Sequence, residues 1–173
     1  VGLDVRGLQS RLARALREAG RGRDAARVFG ELANSANDAV ERRARLRAAS
    51  DALMTIGDID QGLKVLKPVL QELGIAAESG GFARGLRLVG GALGILTGRR
   101  KGIAARRPNA IAAERFDTVW PIAKSLIFVD PMDGLDHMAS ALKLAEASGD
   151  PDRVARVTGP LAGFVLGSIP GFK

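Results

Sequence analysis

Two glycines in the chain have the spacing of a phosphate-binding loop. Gly57 and Gly62 are separated by four residues, as in the motif whose backbone N–H groups surround a nucleotide phosphate. That motif continues with a lysine that contacts the phosphates, and Leu63 stands at this position. The sequence therefore argues against nucleotide binding by this segment.

The only histidine is the second feature that could do chemistry. His137 lies close in sequence to Asp133 and Asp136, so a carboxylate–imidazole relay or a metal site is conceivable. A metal ion would need further ligands, and the chain has no second histidine and no cysteine. No Gly-x-Ser-x-Gly motif of a serine hydrolase is present. We expect His137 to lie on the solvent-facing start of a helix, and we predict no catalytic residue, no cofactor and no metal site.

One stretch is markedly basic. It contains no acidic residue and could hold phosphate, RNA or anionic lipid, or could be a solvated connector; its cations are Arg99, Arg100, Lys101, Arg106 and Arg107. No aromatic residue is interleaved with these cations for base stacking, which favours the connector. Trp120 near Asp117 could similarly be a ligand shelf, but its helical spacing favours an anchor in the core.

The composition indicates which elements position these residues. Aromatic residues make up 4% of the chain, which argues against a sheet protein, and the absence of cysteine fits a reducing, cytoplasmic location. The longest apolar run, Leu88 to Gly98, has ~11 residues, short of the ~20 that a membrane-spanning helix needs. A net charge of +7 favours non-specific attraction to nucleic acid without defining a site.

Apolar residues at spacings of three and four predict an all-α protein built of stacked antiparallel helical hairpins. In the first helix this face is formed by Leu8, Leu12, Ala15 and Leu16, and in the second by Ala25, Val28, Phe29 and Leu32. The turn glycines Gly20 and Gly57 are 37 residues apart, a period typical of helical-hairpin repeats. We predict one helical-repeat domain over residues 1–173, with hairpins at about 3–33, 38–73, 82–128 and 133–162. Because the tail from Phe164 to Phe172 is apolar, we expect the chain to be a fragment of a longer one.

The first two units resemble tetratricopeptide repeats. Leu12, Ala13, Leu16, Gly20, Ala25 and Phe29 occupy the packing positions of that repeat, and Leu53, Gly57, Ile59, Gly62 and Leu66 occupy them in the second unit. The second unit departs from the pattern at Ala49 and Gly62. The resemblance implies a tetratricopeptide-like α-solenoid whose first helices line a concave groove. It places Arg14, Arg17, Glu18, Arg47, Asp51 and Met54 on the groove wall, where guanidinium groups could bind carboxylates of an acidic peptide. The alternative is that these residues form ordinary solvated helix faces.

A longer set of residues resembles a helical region of large bacterial signalling proteins. The set comprises residues 48–74, the basic stretch, 115–117 with Trp120, Leu126, 129–131, 149–151 and 153–155. In those proteins a serine/threonine kinase or cyclase domain is joined to an AAA- or STAND-type ATPase, and the helical region follows the ATPase. The resemblance implies that kinase and ATPase motifs lie elsewhere in a parent chain.

These observations predict a non-catalytic segment that acts by binding. Its partner would be a protein or peptide, or the adjacent ATPase module of the same chain. The alternative is a basic helical module that binds nucleic acid within a transcriptional regulator. An enzyme would require a cluster of polar residues that the sequence does not provide.

Overall fold

The structure is a computed structural model that describes the backbone of residues 4–75 and 108–167 and the side chains of these residues up to 163. Every regular element among them is an α-helix and no strand is present among them, which confirms the all-α prediction. In chain order the helices are α1 (Val5–Glu18), α2 (Gly22–Asn34), α3 (Ala39–Thr55), α4 (Ile59–Glu72), α5 (Ala110–Leu126), α6 (Pro131–Ser148) and α7 (Pro151–Gly167).

The chain divides into two compact units, Val1–Ile75 and Ala76–Lys173. In the described part of the first unit, each helix contacts the next along the chain, from α1 through α4. In the second unit, α5 contacts α6 and α6 contacts α7. The prediction of one continuous repeat domain over residues 1–173 stays a prediction. The first helix expected of the third hairpin, from Phe82 to about Leu96, lies outside the described residues.

Local sequence accounts for the helix ends in the first unit. The carboxylates of Asp4 and Asp38 accept hydrogen bonds from the backbone N–H groups of Gly7 and Glu41, which caps α1 and α3. Gly20 and Gly57 follow α1 and α3 with φ of +74° and +83°, a conformation that a residue with a Cβ rarely adopts. These short turns join helices that contact one another, α1 with α2 and α3 with α4.

The core of the first unit is centred on α2. The four residues predicted for its apolar face are all buried, which confirms that prediction; they are Ala25, Val28, Phe29 and Leu32. They form one cluster with Ala13 of α1 and with Ala49 and Ala52 of α3. The helices approach closely at Gly22, where an added Cβ would lie 2.4 Å from the carbonyl oxygen of Ala52. Small residues at these positions therefore set the spacing of α2 and α3.

The predicted apolar face of α1 is not the buried one. Leu8 is 48% exposed, Leu12 is 52% exposed and Ala15 is also exposed. Ala13 and the partly buried Leu16 make the contact with the core instead. The prediction was wrong for the first three residues because a helix can carry a second apolar face that points away from its neighbours.

The described part of the second unit is built around Phe116, which is 1% exposed. Two prolines lie within its helices, Pro121 in α5 and Pro160 in α7, and both helices continue through them. Helix α6 ends at Gly149, whose φ of +73° is left-handed. The Asp130 carboxylate caps the start of α6. This start lies directly against the end of α5, since an added Cβ on Gly134 would lie 2.5 Å from the backbone of Ile127.

Candidate interaction groove

A groove lies on one side of the first unit, between α1 and α3, with α2 beneath it. Its volume is about 590 Å³. Phe29, 3% exposed, contributes from α2, while Arg14, Arg17 and Glu18 line it from the C-terminal half of α1. The N-terminal half of α3 forms the opposite side with Glu41, Ala44, Arg45 and Ala48. The groove thus combines an apolar contribution with charged walls, a surface suited to a peptide that carries both apolar and charged side chains.

The charges of the groove are unequally satisfied within the molecule. Arg17 forms an ion pair with Asp51, with 3.5 Å between Nη1 and Oδ2, and this pair links α1 to α3. Arg45 forms an ion pair with Glu41 one turn earlier in α3, at 3.4 Å. Arg14 is exposed and makes no ion pair or side-chain hydrogen bond within the described part of the chain. Its guanidinium is therefore available to a carboxylate from outside.

The structure brings together four of the six residues predicted for the groove wall. Arg14, Arg17 and Glu18 line the groove, and Asp51 joins them through its ion pair with Arg17. Arg47 is not among the lining residues.

Met54, the sixth, does not face a groove. It is 3% exposed, and its Cγ lies 2.6 Å from the point where a Cβ on Gly62 would stand. Met54 thus fills the space left by that glycine between α3 and α4, where no partner reaches it. This residue must be removed from the predicted wall.

Sequence reasoning missed the side of the groove that α3 provides. The lining residues Glu41, Ala44, Arg45 and Ala48 follow one another at helical spacing, so they share a face of α3. Of the predicted residues, Asp51 follows Ala48 by three positions and continues this face, whereas Arg47 and Met54, seven positions apart, lie on another face of the same helix. The periodicity that identifies each face was visible in the sequence, but nothing in it specified which face turns toward α1.

Comparison of the chain with protein-family models, with curated proteins and with solved structures finds no match.

The residues considered for catalysis or nucleotide binding lie in turns and helices and take part in local contacts. Gly57 forms the turn after α3, and Gly62 lies within α4, where it packs against Met54. The Nδ1–H of His137 donates to the carbonyl oxygen of Asp133, 2.9 Å away and one turn earlier in α6. Among the residues that the structure describes, no three histidine or acidic side chains are grouped so that they could hold a metal ion.

A charged network joins α5 and α7 in the second unit. The guanidinium of Arg153 donates to both carboxylate oxygens of Asp117, at 3.2 and 3.0 Å, and also to Asp150. It lies 5.9 Å from the ring centre of Phe116. The hydrogen bond to Asp117 raises the pKa of Arg153, and burial opposes that shift. Asp117 therefore links α5 to α7, and both of its carboxylate oxygens already accept hydrogen bonds from Arg153.

Trp120 does not have the core position that its spacing indicated. It is partly exposed and stacks on Phe116, with 6.1 Å between ring centres and 10° between planes. Phe116 is the largest fully buried side chain among those described, and it is the anchor of α5.

The basic stretch that contains Arg99, Arg100, Lys101, Arg106 and Arg107 lies outside the described residues. Within residues 108–167, eight acidic residues outnumber five basic ones, whereas residues 4–75 contain 13 basic and ten acidic residues. The described part of the second unit therefore offers no excess of positive charge for nucleic acid. None of the helices in the described residues is long and apolar enough to cross a membrane.

Proposed function

We propose that this chain is a non-catalytic helical-repeat segment for protein interaction and regulation, of the kind found in multidomain bacterial signalling proteins. Its helices would form tetratricopeptide-like hairpins that stack as a solenoid. The sequential contacts from α1 to α4 support this arrangement, since repeat proteins are held together mainly by contacts between neighbours along the chain.

The groove between α1 and α3 is the proposed binding surface of this segment. The observation that carries the proposal is Arg14, an exposed guanidinium on the groove wall with no ion pair or side-chain hydrogen bond among the described residues. Two other arginines of the groove are held in place by ion pairs with Asp51 and Glu41. The expected partner is a peptide segment, from another protein or from an adjacent ATPase module, that places an acidic residue at Arg14 and an apolar residue against Ala44 and Ala48.

Helix α1 supplies a matched pair of arginines for testing the groove. Arg11 and Arg14 are both exposed and both lack ion pairs among the described residues, but only Arg14 lines the groove. Replacement of either by glutamate changes the net charge equally. A general electrostatic attraction would respond similarly to both changes, whereas a contact in the groove would respond to one.

The test measures fluorescence anisotropy with a labelled peptide of alternating glutamate and leucine, at low salt. We expect Arg14→Glu to weaken binding about tenfold, which corresponds to the loss of one charge-assisted hydrogen bond of about 1.4 kcal/mol. Arg11→Glu should change the affinity by about twofold or less, as expected for an exposed charge outside the contact. The analogue of the peptide with glutamine in place of glutamate has no carboxylate for Arg14. It should bind the unchanged protein no more tightly than the acidic peptide binds the Arg14→Glu variant. Equal effects of the two arginine substitutions would refute the groove as the binding surface.

A further inference from the structure

Two charged side chains of the groove have no partner among the described residues, and their charges are opposite. The charged residues that line the groove are Arg14, Arg17, Glu18, Glu41 and Arg45. Arg17 is paired with Asp51, and Arg45 with one carboxylate oxygen of Glu41. The other oxygen of Glu41 accepts the backbone N–H of Asn37, 3.1 Å away. Arg14 and Glu18 are exposed and form no ion pair or side-chain hydrogen bond within the described part of the chain.

Arg14 and Glu18 do not satisfy each other, although they lie one turn apart on α1. An arginine that precedes a glutamate by four residues is the weaker order for an ion pair on a helix surface. Glu18 is also the last residue of α1, where the helix dipole disfavours negative charge. A cation from outside therefore gains a carboxylate partner at Glu18 without breaking an ion pair of the protein.

The spacing of these two charges fits an extended peptide. Four residues of an α-helix advance ~6 Å along its axis. Alternate residues of an extended chain are ~6.6 Å apart and point to the same side, whereas the residue between them points to the opposite side. A peptide along α1 with one side chain at Arg14 thus brings its next side chain on that side to Glu18. The residue between them faces α3, where Ala44 and Ala48 line the groove.

We propose that Glu18 is a second specificity-determining residue of the groove, which selects a peptide with an acidic, an apolar and a basic residue in succession. This role of Glu18 rests on the proposed function, because it requires a peptide in the groove. The acidic residue pairs with Arg14 and the basic residue with Glu18, and either chain direction satisfies this arrangement. A peptide with acidic residues at both outer positions places one carboxylate beside Glu18, where like charges repel.

Three blocked peptides of the form Gly-Gly-Glu-Leu-X-Gly-Gly test this role, with lysine, glutamine or glutamate at X. Each labelled peptide is titrated by fluorescence anisotropy at low salt with the unchanged protein and with two variants, Glu18→Gln and Asp60→Asn. Asp60 is exposed in α4, does not line the groove and forms no ion pair among the described residues. Asp60→Asn is therefore the matched control, which removes the same charge outside the groove.

We expect the unchanged protein to bind the lysine peptide about fivefold more tightly than the glutamine peptide, as expected for a partly solvated ion pair. The glutamate peptide should bind most weakly. Glu18→Gln should weaken binding of the lysine peptide about fivefold and tighten binding of the glutamate peptide about twofold, whereas Asp60→Asn should change each affinity by less than about twofold. Effects of opposite sign from one variant exclude a folding defect, which would weaken the binding of all three peptides.

Three results would overturn the role of Glu18 while the groove stays the binding surface. The first is equal affinity of the unchanged protein for the lysine and glutamine peptides, and the second is a lysine preference that Glu18→Gln leaves unchanged. The third is an equal loss of that preference with Glu18→Gln and Asp60→Asn. Failure of all three peptides to bind, or equal effects of Arg14→Glu and Arg11→Glu, would instead remove the groove as the binding surface and the role of Glu18 with it.

Discussion

Replacement of Gly134 by alanine tests the closest contact within the second unit. Gly134 lies in the first turns of α6, directly against the end of α5. An added Cβ would stand 2.5 Å from both the Cα and the N of Ile127 and 2.9 Å from the carbonyl carbon of Leu126. All three are backbone atoms, so no side-chain rotation can relieve the overlap, and α5 and α6 must separate.

The size of the effect follows from two opposing terms. Overpacking a core contact typically costs about 1–3 kcal/mol, and the upper value applies here because the obstacle is backbone. Alanine in place of glycine within a helix returns about 1 kcal/mol through its higher helix propensity. We therefore expect Gly134→Ala to lower the free energy of unfolding by about 2 kcal/mol. With a urea m-value of about 2 kcal/mol/M, the midpoint would fall by about 1 M.

Urea unfolding followed by Trp120 fluorescence is the appropriate assay. Trp120 is the only tryptophan and stacks on Phe116 in α5, so its emission reports on the second unit. The matched control is Gly163→Ala in α7, where an added Cβ would have no neighbour within 4 Å. That substitution should raise the free energy of unfolding by up to about 1 kcal/mol, since only the helix-propensity term remains.

The comparison of the two alanine variants decides whether the contact exists. If Gly134→Ala is as stable as Gly163→Ala, then α6 does not approach Ile127 as closely as described. A lowered midpoint with a changed m-value would indicate altered compactness of the folded or unfolded state, and would leave the 2 kcal/mol estimate without support.

Two further predictions concern the first unit, which is followed by circular dichroism. Gly22→Ala should destabilise the protein by about 1–2 kcal/mol, because the added Cβ would lie 2.4 Å from the carbonyl oxygen of Ala52. Gly30→Ala in the same helix is the control: its Cβ would meet no atom within 4 Å, so it should stabilise the protein by about 1 kcal/mol. Effects of the same sign for the two substitutions would contradict the α2–α3 packing. The hydrogen bond from Arg42 is the main cause that lowers the pKa of Glu72 below its ordinary 4.5, with burial opposing it. The resulting stabilisation is present above pH 4.5 and is lost as the pH falls through the lowered pKa. The stability difference between the unchanged protein and Glu72→Gln should accordingly be visible at pH 7 and shrink below about pH 4; a difference constant down to pH 2 would exclude this linkage.

The turns and helix ends were predictable because they depend on neighbouring residues in the sequence. Gly20 and Gly57 have left-handed φ, and each lies at the turn that the sequence predicted. Asp38 caps α3, and aspartate is one of the residue types preferred at this position. Helix α4 continues through Pro68 and α5 through Pro121, although proline lacks the N–H that an interior helical position donates. In these helices the packing of the surrounding residues outweighs the lost hydrogen bond.

The candidate site was predictable only in part. Arg14, Arg17 and Glu18 were identified from the repeat resemblance, and they line the groove. Met54 was assigned to the same wall and is buried. Successive residues point 100° apart around a helix, so a small rotation of α3 about its axis exchanges a wall residue for a core residue.

By itself the sequence determined that the described residues are helical, where the short turns lie and which residues of α2 are apolar and buried. Each of these depends on local conformational preference or on periodicity, which are properties of residues a few positions apart. Only the tertiary structure decided that α1 contacts the core through Ala13 and exposes Leu8 and Leu12. Periodicity reports that a helix has an apolar face, but the neighbour that covers this face is chosen by close approach between helices, as at Gly22. That choice involves residues dozens of positions apart, which no local pattern specifies.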